Sequence, residues 1–201
     1  MKQSIVLASQ SPRRKEWLSL CVSDFSVISA DIDEKSIEKQ ILKTNNEEPF
    51  LLTASRLVEM LAAEKARVIF KKQPMSIVIG ADTVVVHENR ILGKPLDESQ
   101  AYEMLRSYAG KTHSVVTGVS IKNSEKEITF SVESKVTFWD WNKQMEQEVF
   151  DYIKTGNPMD KAGAYGIQEM PSLWVKEISG DYPNIVGLPI SYVNRALYEF
   201  E

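Results

Sequence analysis

The stretch Ser76-Ile77-Val78-Ile79-Gly80-Ala81-Asp82-Thr83-Val84-Val85-Val86 decides the fold. Its isoleucines and valines run almost without a break, the pattern of a strand buried on both faces rather than one alternating between core and water. Such a strand needs helices packed around it. Upstream, residues 49–72 predict a long helix, with Phe50, Ala54, Leu57, Val58, Leu61 and Val68 on one stripe. Lys65 falls four residues after Leu61, on that stripe rather than on the solvated face. Nearer the N-terminus, Ile5-Val6-Leu7-Ala8 reads as a short buried strand. Ser11-Pro12 then supplies a helix cap and a favoured first helical residue, so residues 12–20 predict a helix. Residues 25–30 read as a second strand leading into Asp31-Ile32-Asp33-Glu34.

Downstream, residues 97–108 predict a helix with Ala101, Met104 and Leu105 at helical spacing and Gly110 just beyond its end. Residues 113–122 and 127–139 read as two strands joined around Asn123-Ser124. Helix returns over residues 143–154. A glycine-containing irregular stretch follows, then a short strand over 173–178 and a last helix from Ser191. The alternation with an inserted hairpin predicts an α/β protein: a mixed twisted sheet with flanking helices, the whole chain 1–201 forming a single domain. The hairpin and the irregular segment are placed to fold over the early strands, which would give two lobes around a cleft.

Composition narrows the function. The chain has 201 residues, 43% of them hydrophobic and 26% charged, ordinary values for a globular protein that buries roughly 70% of its unfolded surface. Apolar runs such as Val84-Val85-Val86 fall far short of a membrane span, and Ile5 to Ala8 is too short for a signal-peptide core. A single cysteine, Cys21, fits a reducing compartment, and the expected location is the cytoplasm. With 24 basic and 28 acidic residues the net charge is −4, so binding of nucleic acid through a basic surface is not expected. A polyanion would have to be met by a local cationic pocket or a metal.

Several residues carry chemistry. Ser9-Gln10-Ser11-Pro12-Arg13-Arg14 places free backbone N–H groups and two guanidinium forks at a helix start, a setting suited to phosphate; the plain alternative is a solvated basic turn. Asp82, inside an apolar strand, is costly unless paired, hydrogen-bonded or bound to a metal; the alternative is a strand-end carboxylate facing water. Lys65 either aims inward or snorkels to solvent. Lys94, in Leu92-Gly93-Lys94-Pro95, sits on a stiffened turn that can aim it, although most lysines in such loops are merely solvated. In Asp160-Lys161-Ala162-Gly163-Ala164-Tyr165-Gly166-Ile167-Gln168 two glycines allow close approach to a ligand, and Gln168 offers a donor and an acceptor to a base edge. The GxxG within it suggests a KH-type loop only weakly, and the acidic balance opposes that reading.

Other machinery is missing. Gly110-Lys111-Thr112 resembles the end of a P-loop, but Leu105 stands where its first glycine must be. His87 and His113 lack metal-ligand spacing and read as structural. What remains is an inventory of cations, a buried carboxylate and an acidic cluster, which suits metal-assisted chemistry on a phosphate chain.

In order along the chain, Leu7 through Arg14, Asp33-Glu34, Glu64-Lys65-Ala66, Gly80 through Val85, Leu92 through Pro95, Gly110 through His113, Thr117-Gly118-Val119, Asp160 through Gln168, and Gly180-Asp181-Tyr182 with Asn184 through Pro189 resemble the signature of the Maf family of nucleoside triphosphate pyrophosphatases. The resemblance spans nearly the whole chain. It implies a two-lobed α/β fold with the nucleotide in a cleft, often as a homodimer, and cleavage between the α- and β-phosphates to a nucleoside monophosphate and pyrophosphate. Carried onto matching positions, it makes Asp82 the proton acceptor that activates water and a metal ligand together with Glu34. Ser9, Arg14, Lys65, Lys94 and Lys161 would grip the phosphates. The implied cofactor is a divalent cation, Mg2+ foremost, with Mn2+ or Co2+ as substitutes. Arg13, Thr83 and Gln168 stand at the three positions that separate base preferences, in the combination of the dTTP/UTP branch. The competing readings are a 7-methyl-GTP pyrophosphatase, disfavoured by Arg13 and Gln168, and a nucleotide-binding regulator of septum formation. Trp17 and Cys21 depart from the usual leucine and glycine.

Overall fold

The computed structural model describes residues 3–44 and 49–200. Its centre is one mixed sheet of seven strands: β1 (Ile5–Leu7), β2 (Phe25–Val27), β3 (Ile77–His87), β4 (Arg90–Leu92), β5 (Thr112–Lys122), β6 (Glu127–Phe138) and β7 (Val175–Ser179). The order is β2-β1-β3-β5-β6-β7, with β4 paired to the far end of β3. β1 runs parallel to both β2 and β3, whereas β3, β5, β6 and β7 are antiparallel in turn. The helices are α1 (Pro12–Leu18), α2 (Glu34–Thr44), α3 (Phe50–Lys72), α4 (Glu98–Ser107), α5 (Lys143–Lys154), α6 (Tyr182–Val186) and α7 (Ile190–Leu197). Among the described residues no helix is long and apolar enough to cross a membrane.

Both faces of β3 are covered, as its composition demands. On one face Val78 and Val84 meet α3 through Ala54, Leu57, Val58, Leu61, Ala66 and Ile69. On the other, Ile77, Ile79 and Ala81 pack with Leu18 of α1 and Val193 and Leu197 of α7, while Val85 joins Leu105 of α4 and Val149 and Ile153 of α5. α3 can lie this close because Gly80 and Gly118 face it without side chains: a Cβ on Gly80 would stand 2.1 Å from the Ala62 carbonyl oxygen, and one on Gly118 2.3 Å from the Val58 carbonyl carbon.

Ser11 caps α1 by accepting from the Arg14 N–H, with Pro12 in the first turn, as the sequence predicts. Asp97 and Asn142 cap α4 and α5 in the same way. β2 is shorter than residues 25–30, and Phe50 and Val68 of the predicted α3 stripe are respectively exposed and only partly buried. Three elements lie outside the sequence reading. α2 is largely exposed among its described residues, and Ile37 and Ile41 pack against the α3 cluster. α6 has five residues. β4 follows a two-residue turn in which Glu88 and Asn89 both adopt positive φ (46° and 56°), the geometry that matches the twist of paired strands.

Candidate active site

β1 ends at Leu7, opposite Ile79, and β4 begins to pair with β3 only at Val85. Along this edge Gly80 to Val84 therefore have no strand neighbour, although β5 pairs with them on the other side. A cleft of about 860 Å³ opens over this gap. Its wall takes Ala8 to Arg14 from the β1–α1 turn and the first turn of α1, Glu34 from α2, Lys65 from α3, Asp82 and Thr83 from β3, Lys94 from the β4–α4 connection, and Lys161 and Gln168 from the irregular segment after α5. The structure thus gathers all the predicted site residues around one cavity, from six separate stretches of chain.

The strand period of two divides the chemistry between the faces of β3. Asp82 points to the α3 side, where Lys65 Nζ lies 2.5 Å from its Oδ1 and 2.7 Å from Oε1 of Glu34. Lys65 does not snorkel: its side chain is 12% exposed and Asp82's 15%, whereas Glu34 is more than half exposed at the cleft mouth. One ammonium thus bridges two carboxylates, one recessed and one open to solvent.

Arg14 occupies the opposite face. Its Nε donates to the Gly187 carbonyl (2.8 Å), Nη1 to the Ala81 carbonyl (2.9 Å) and Ser9 Oγ (3.2 Å), and Nη2 to Thr83 Oγ1 (3.0 Å). Four of its five N–H groups are thereby spent on the protein. Burial pulls the guanidinium below its ordinary pKa, and the nearby charge of Asp82 opposes that fall. Because Ala81 and Thr83 flank Asp82, Arg14 holds the strand on both sides of the carboxylate. Ser9 Oγ accepts from Arg14 and from the Ser11 N–H, which leaves its hydroxyl hydrogen available to the cleft.

The far wall is built on Lys161, whose side chain is only 6% exposed. Its ammonium donates to the Asn157 carbonyl (2.7 Å) and Asp160 Oδ1 (2.8 Å), and forms an ion pair with Glu169 Oε1 (3.0 Å). Glu169 also accepts from Tyr152 (2.8 Å), and Asp160 reaches Arg13 across the cleft at 3.6 Å. Although burial opposes it, the Lys161 hydrogen bond and the charges of Lys161, Arg13 and Lys94 hold the Asp160 carboxyl below the usual carboxylate range. Gly166 lets the Lys161 stem pass, since a Cβ there would sit 2.7 Å from Lys161 Cε. Arg13 and the Gln168 segment are thus linked through Asp160, Lys161 and Glu169. Lys94 and Gln168 are exposed on the rim.

Behind this wall His113 is buried against Tyr108, Phe138 and Tyr165, with Nε2 2.7 Å from the Tyr165 hydroxyl. Burial pushes its pKa down to about 3, so it is a neutral packing residue, and His87 beside it is lowered for the same reason. Sequence reasoning did not single out Asp160, Glu169 and Tyr152 as interacting groups; the first two stand in or beside the quoted glycine-containing segment, but their pairing depends on its folded path.

A family model described as Maf-like protein matches residues 4–200. A dTTP/UTP pyrophosphatase of Geobacillus sp. (strain WCH70) is 48% identical over 195 residues, 97% of this chain and 96% of the relative. Proteins of the same name from Bacillus cereus (strain G9842) and Bacillus velezensis are 41% and 42% identical, covering 99% and 100% of this chain and 96% and 98% of the relatives.

Proposed function

The chain belongs to the Maf family, and on that premise we propose that its cleft hydrolyses dTTP and UTP to the nucleoside monophosphate and pyrophosphate. The observation that carries this reading is Asp82 itself: a recessed carboxylate on an open strand edge, ion-paired with Lys65 beside Glu34 and facing a cleft lined with cations. In the reaction a water oxygen bonds to the α-phosphorus while the bond from that phosphorus to the α,β-bridging oxygen breaks. Asp82 takes the water's proton, and pyrophosphate departs with the electron pair of the broken bond. Lys65 and Lys94, with Ser9 as a hydroxyl donor, neutralise and orient the phosphate chain. Arg14 adds its one uncommitted N–H and keeps the Asp82 strand in place; Lys161 acts through the wall that it braces. Gln168 and Arg13 face the base end.

A divalent cation fits the donor set. Glu34 and Asp82 offer hard oxygen ligands that already share one cation, the Lys65 ammonium. Among the described residues no cluster of three or more His, Cys, Asp or Glu forms a complete cage. That suits an ion such as Mg2+, which binds through one or two carboxylates plus substrate phosphates. Bound there, the ion supplies charge stabilisation to the phosphate oxygens.

The test measures pyrophosphate release with Mg2+ from dTTP, UTP, CTP, ATP, GTP and 7-methyl-GTP, for the wild type and Asp82→Asn. Release from dTTP and UTP that falls at least about a hundredfold in the variant is expected. Preferential cleavage of 7-methyl-GTP would overturn the base assignment, and no release from any triphosphate would overturn the chemistry.

A further inference from the structure

Thr117 lies wholly buried on β5, opposite Thr83 in the register, and is not part of the cleft wall. Its hydroxyl donates to the Asn184 carbonyl (3.0 Å) and lies 2.9 Å from Thr83 Oγ1. A threonine hydroxyl has one hydrogen, and a carbonyl can only accept. Thr117 therefore spends its hydrogen on Asn184, and Thr83 must be the donor to Thr117. Thr83 in turn accepts from Arg14 Nη2 at 3.0 Å. Every hydrogen in the chain Arg14 to Thr83 to Thr117 to Asn184 is thus assigned, and all three links point one way.

The far end of this chain is anchored. Asn184, also wholly buried, donates through Nδ2 to the Val115 carbonyl (3.1 Å) and to Ser134 Oγ (2.9 Å). Ser134 Oγ donates to the Asp181 carbonyl and accepts the Asp181 N–H, both at 2.9 Å. The Asp181 carboxylate caps α6 at the Asn184 N–H (3.0 Å). Three residues beyond Asn184, Gly187 turns at φ +118° and presents the carbonyl that receives Arg14 Nε. Asn184 and Gly187, within the segment Asn184 through Pro189, thus reach Arg14 by two routes: the Gly187 carbonyl directly and the hydroxyl pair Thr117–Thr83.

We propose that Thr117 is a positioning residue of the reaction. Its hydroxyl orients Thr83, Thr83 orients Arg14, and Arg14 fixes the strand segment Ala81 to Thr83 that carries Asp82. A corollary concerns Thr83: its only hydroxyl hydrogen is committed to Thr117, so it can accept from a ligand but cannot donate to one. The inference rests on the proposed pyrophosphatase reading.

The experiment uses the full chain with UTP and Mg2+, measuring kcat/KM and Tm for the wild type, Thr117→Val, Thr117→Ser, Arg14→Ala and the double variant Arg14→Ala/Thr117→Val. Valine keeps the shape and removes the hydroxyl; serine keeps the hydroxyl and loses the methyl. Thr117→Val should lower kcat/KM about tenfold, the scale of a lost hydrogen bond in a chain ending on a charged group. Thr117→Ser should stay within about twofold of wild type whatever its Tm. On Arg14→Ala, Thr117→Val should change kcat/KM by less than about twofold, because the relay has lost the group it orients. Equal losses in Thr117→Val and Thr117→Ser, or losses that multiply in the double variant, would overturn the proposal. If Thr117→Val does not fold, Thr117→Ala, which also removes the hydroxyl, takes its place and must show the same loss against Thr117→Ser. A wild type that releases no pyrophosphate would overturn the functional reading first, and this inference with it.

Discussion

Replacing Gly80 by alanine tests whether the spacing between α3 and β3 sets the geometry of Lys65 and Asp82. Gly80 has an ordinary backbone conformation, so alanine brings no torsional penalty, only a methyl. That methyl would lie 2.1 Å from the Ala62 carbonyl oxygen, 2.9 Å from the Ala66 nitrogen and 3.1 Å from the Ala62 carbonyl carbon. All three are backbone atoms of α3, so no rotamer change relieves the contact. Carbon–oxygen contacts settle near 3.3–3.6 Å, so helix and strand must separate by about 1 Å. Lys65 lies between Ala62 and Ala66, and Asp82 two residues beyond Gly80 on the same face. The same displacement therefore opens the 2.5 Å Lys65–Asp82 contact to about 3.5 Å, past a good hydrogen bond. Overpacking of this kind costs about 1–3 kcal/mol, which in a chain of this size lowers Tm by about 3–10 °C. A misplacement of about 1 Å at the reacting groups costs up to a hundredfold in rate, so kcat on UTP should fall at least about tenfold at a temperature where the variant remains folded. Gly93→Ala is the control, because its methyl would meet nothing within 4 Å. A Gly80→Ala protein with lowered Tm but undiminished kcat would refute the coupling between packing and catalysis. An unchanged Tm would refute the close approach itself.

Lys65→Met keeps the aliphatic stem and leaves Asp82 and Glu34 without their shared cation; kcat on UTP should fall about 10- to 100-fold, the worth of a hydrogen bond to a charged group, and retained turnover would remove Lys65 from the chemistry. Lys161→Met cuts two hydrogen bonds and an ion pair behind the far wall and should loosen discrimination between UTP and CTP while lowering Tm; unchanged base preference at lowered Tm would make the lysine purely structural. The buried His113 makes stability depend on acid. Its pKa is about 3 in the folded chain against 6.5 when solvated, so below pH 6.5 the unfolded state takes the proton first. Stability should be flat with respect to this group above pH 6.5 and fall as pH drops toward 3, by about 5 kcal/mol at most. Urea titrations at several pH values should show that slope reduced in His113→Phe, and an unreduced slope would assign the acid lability to other groups.

The order of strands and helices was legible because its signals are local: a cap and proline opening α1, apolar periodicity along α3, continuous Ile/Val in β3. α2 escaped because a largely exposed helix, with Ile37 and Ile41 partly buried, leaves little periodicity to read. β4 escaped because its turn is built from Glu88 and Asn89 in left-handed conformations without the glycine that usually marks such a turn. Among the site residues, Asp82 was conspicuous as a charge in an apolar strand. The state of each cation was not legible. Lys65 and Lys161 look alike in sequence, a lysine among small or apolar residues. One bridges two carboxylates at the cleft, while the other is held by two hydrogen bonds and an ion pair to the chain behind it. That difference is decided by which residues the fold brings within 3 Å.

The placement of Asp82 and Thr83 shows why a strand suits this site. Adjacent residues on a strand point to opposite faces, so one peptide unit separates the carboxylate, turned toward Lys65, from the hydroxyl that holds Arg14. Each face then makes its own demand on the neighbouring residues. The α3 face requires Gly80 and Gly118 to be bare, because any side chain would lift Lys65 away. The α1 face requires Ala81 to leave its carbonyl unpaired by β1, so that Arg14 can take it. A one-residue slip of β3 against β5 would carry Asp82 to the Arg14 face and Thr83 beneath Lys65, breaking both sets of contacts at once. The nine register pairs between β3 and β5 exclude that slip, since it would also turn Val78 and Val84 away from α3. The apolar pattern that makes β3 the core of the fold is therefore the same pattern that aims its one carboxylate.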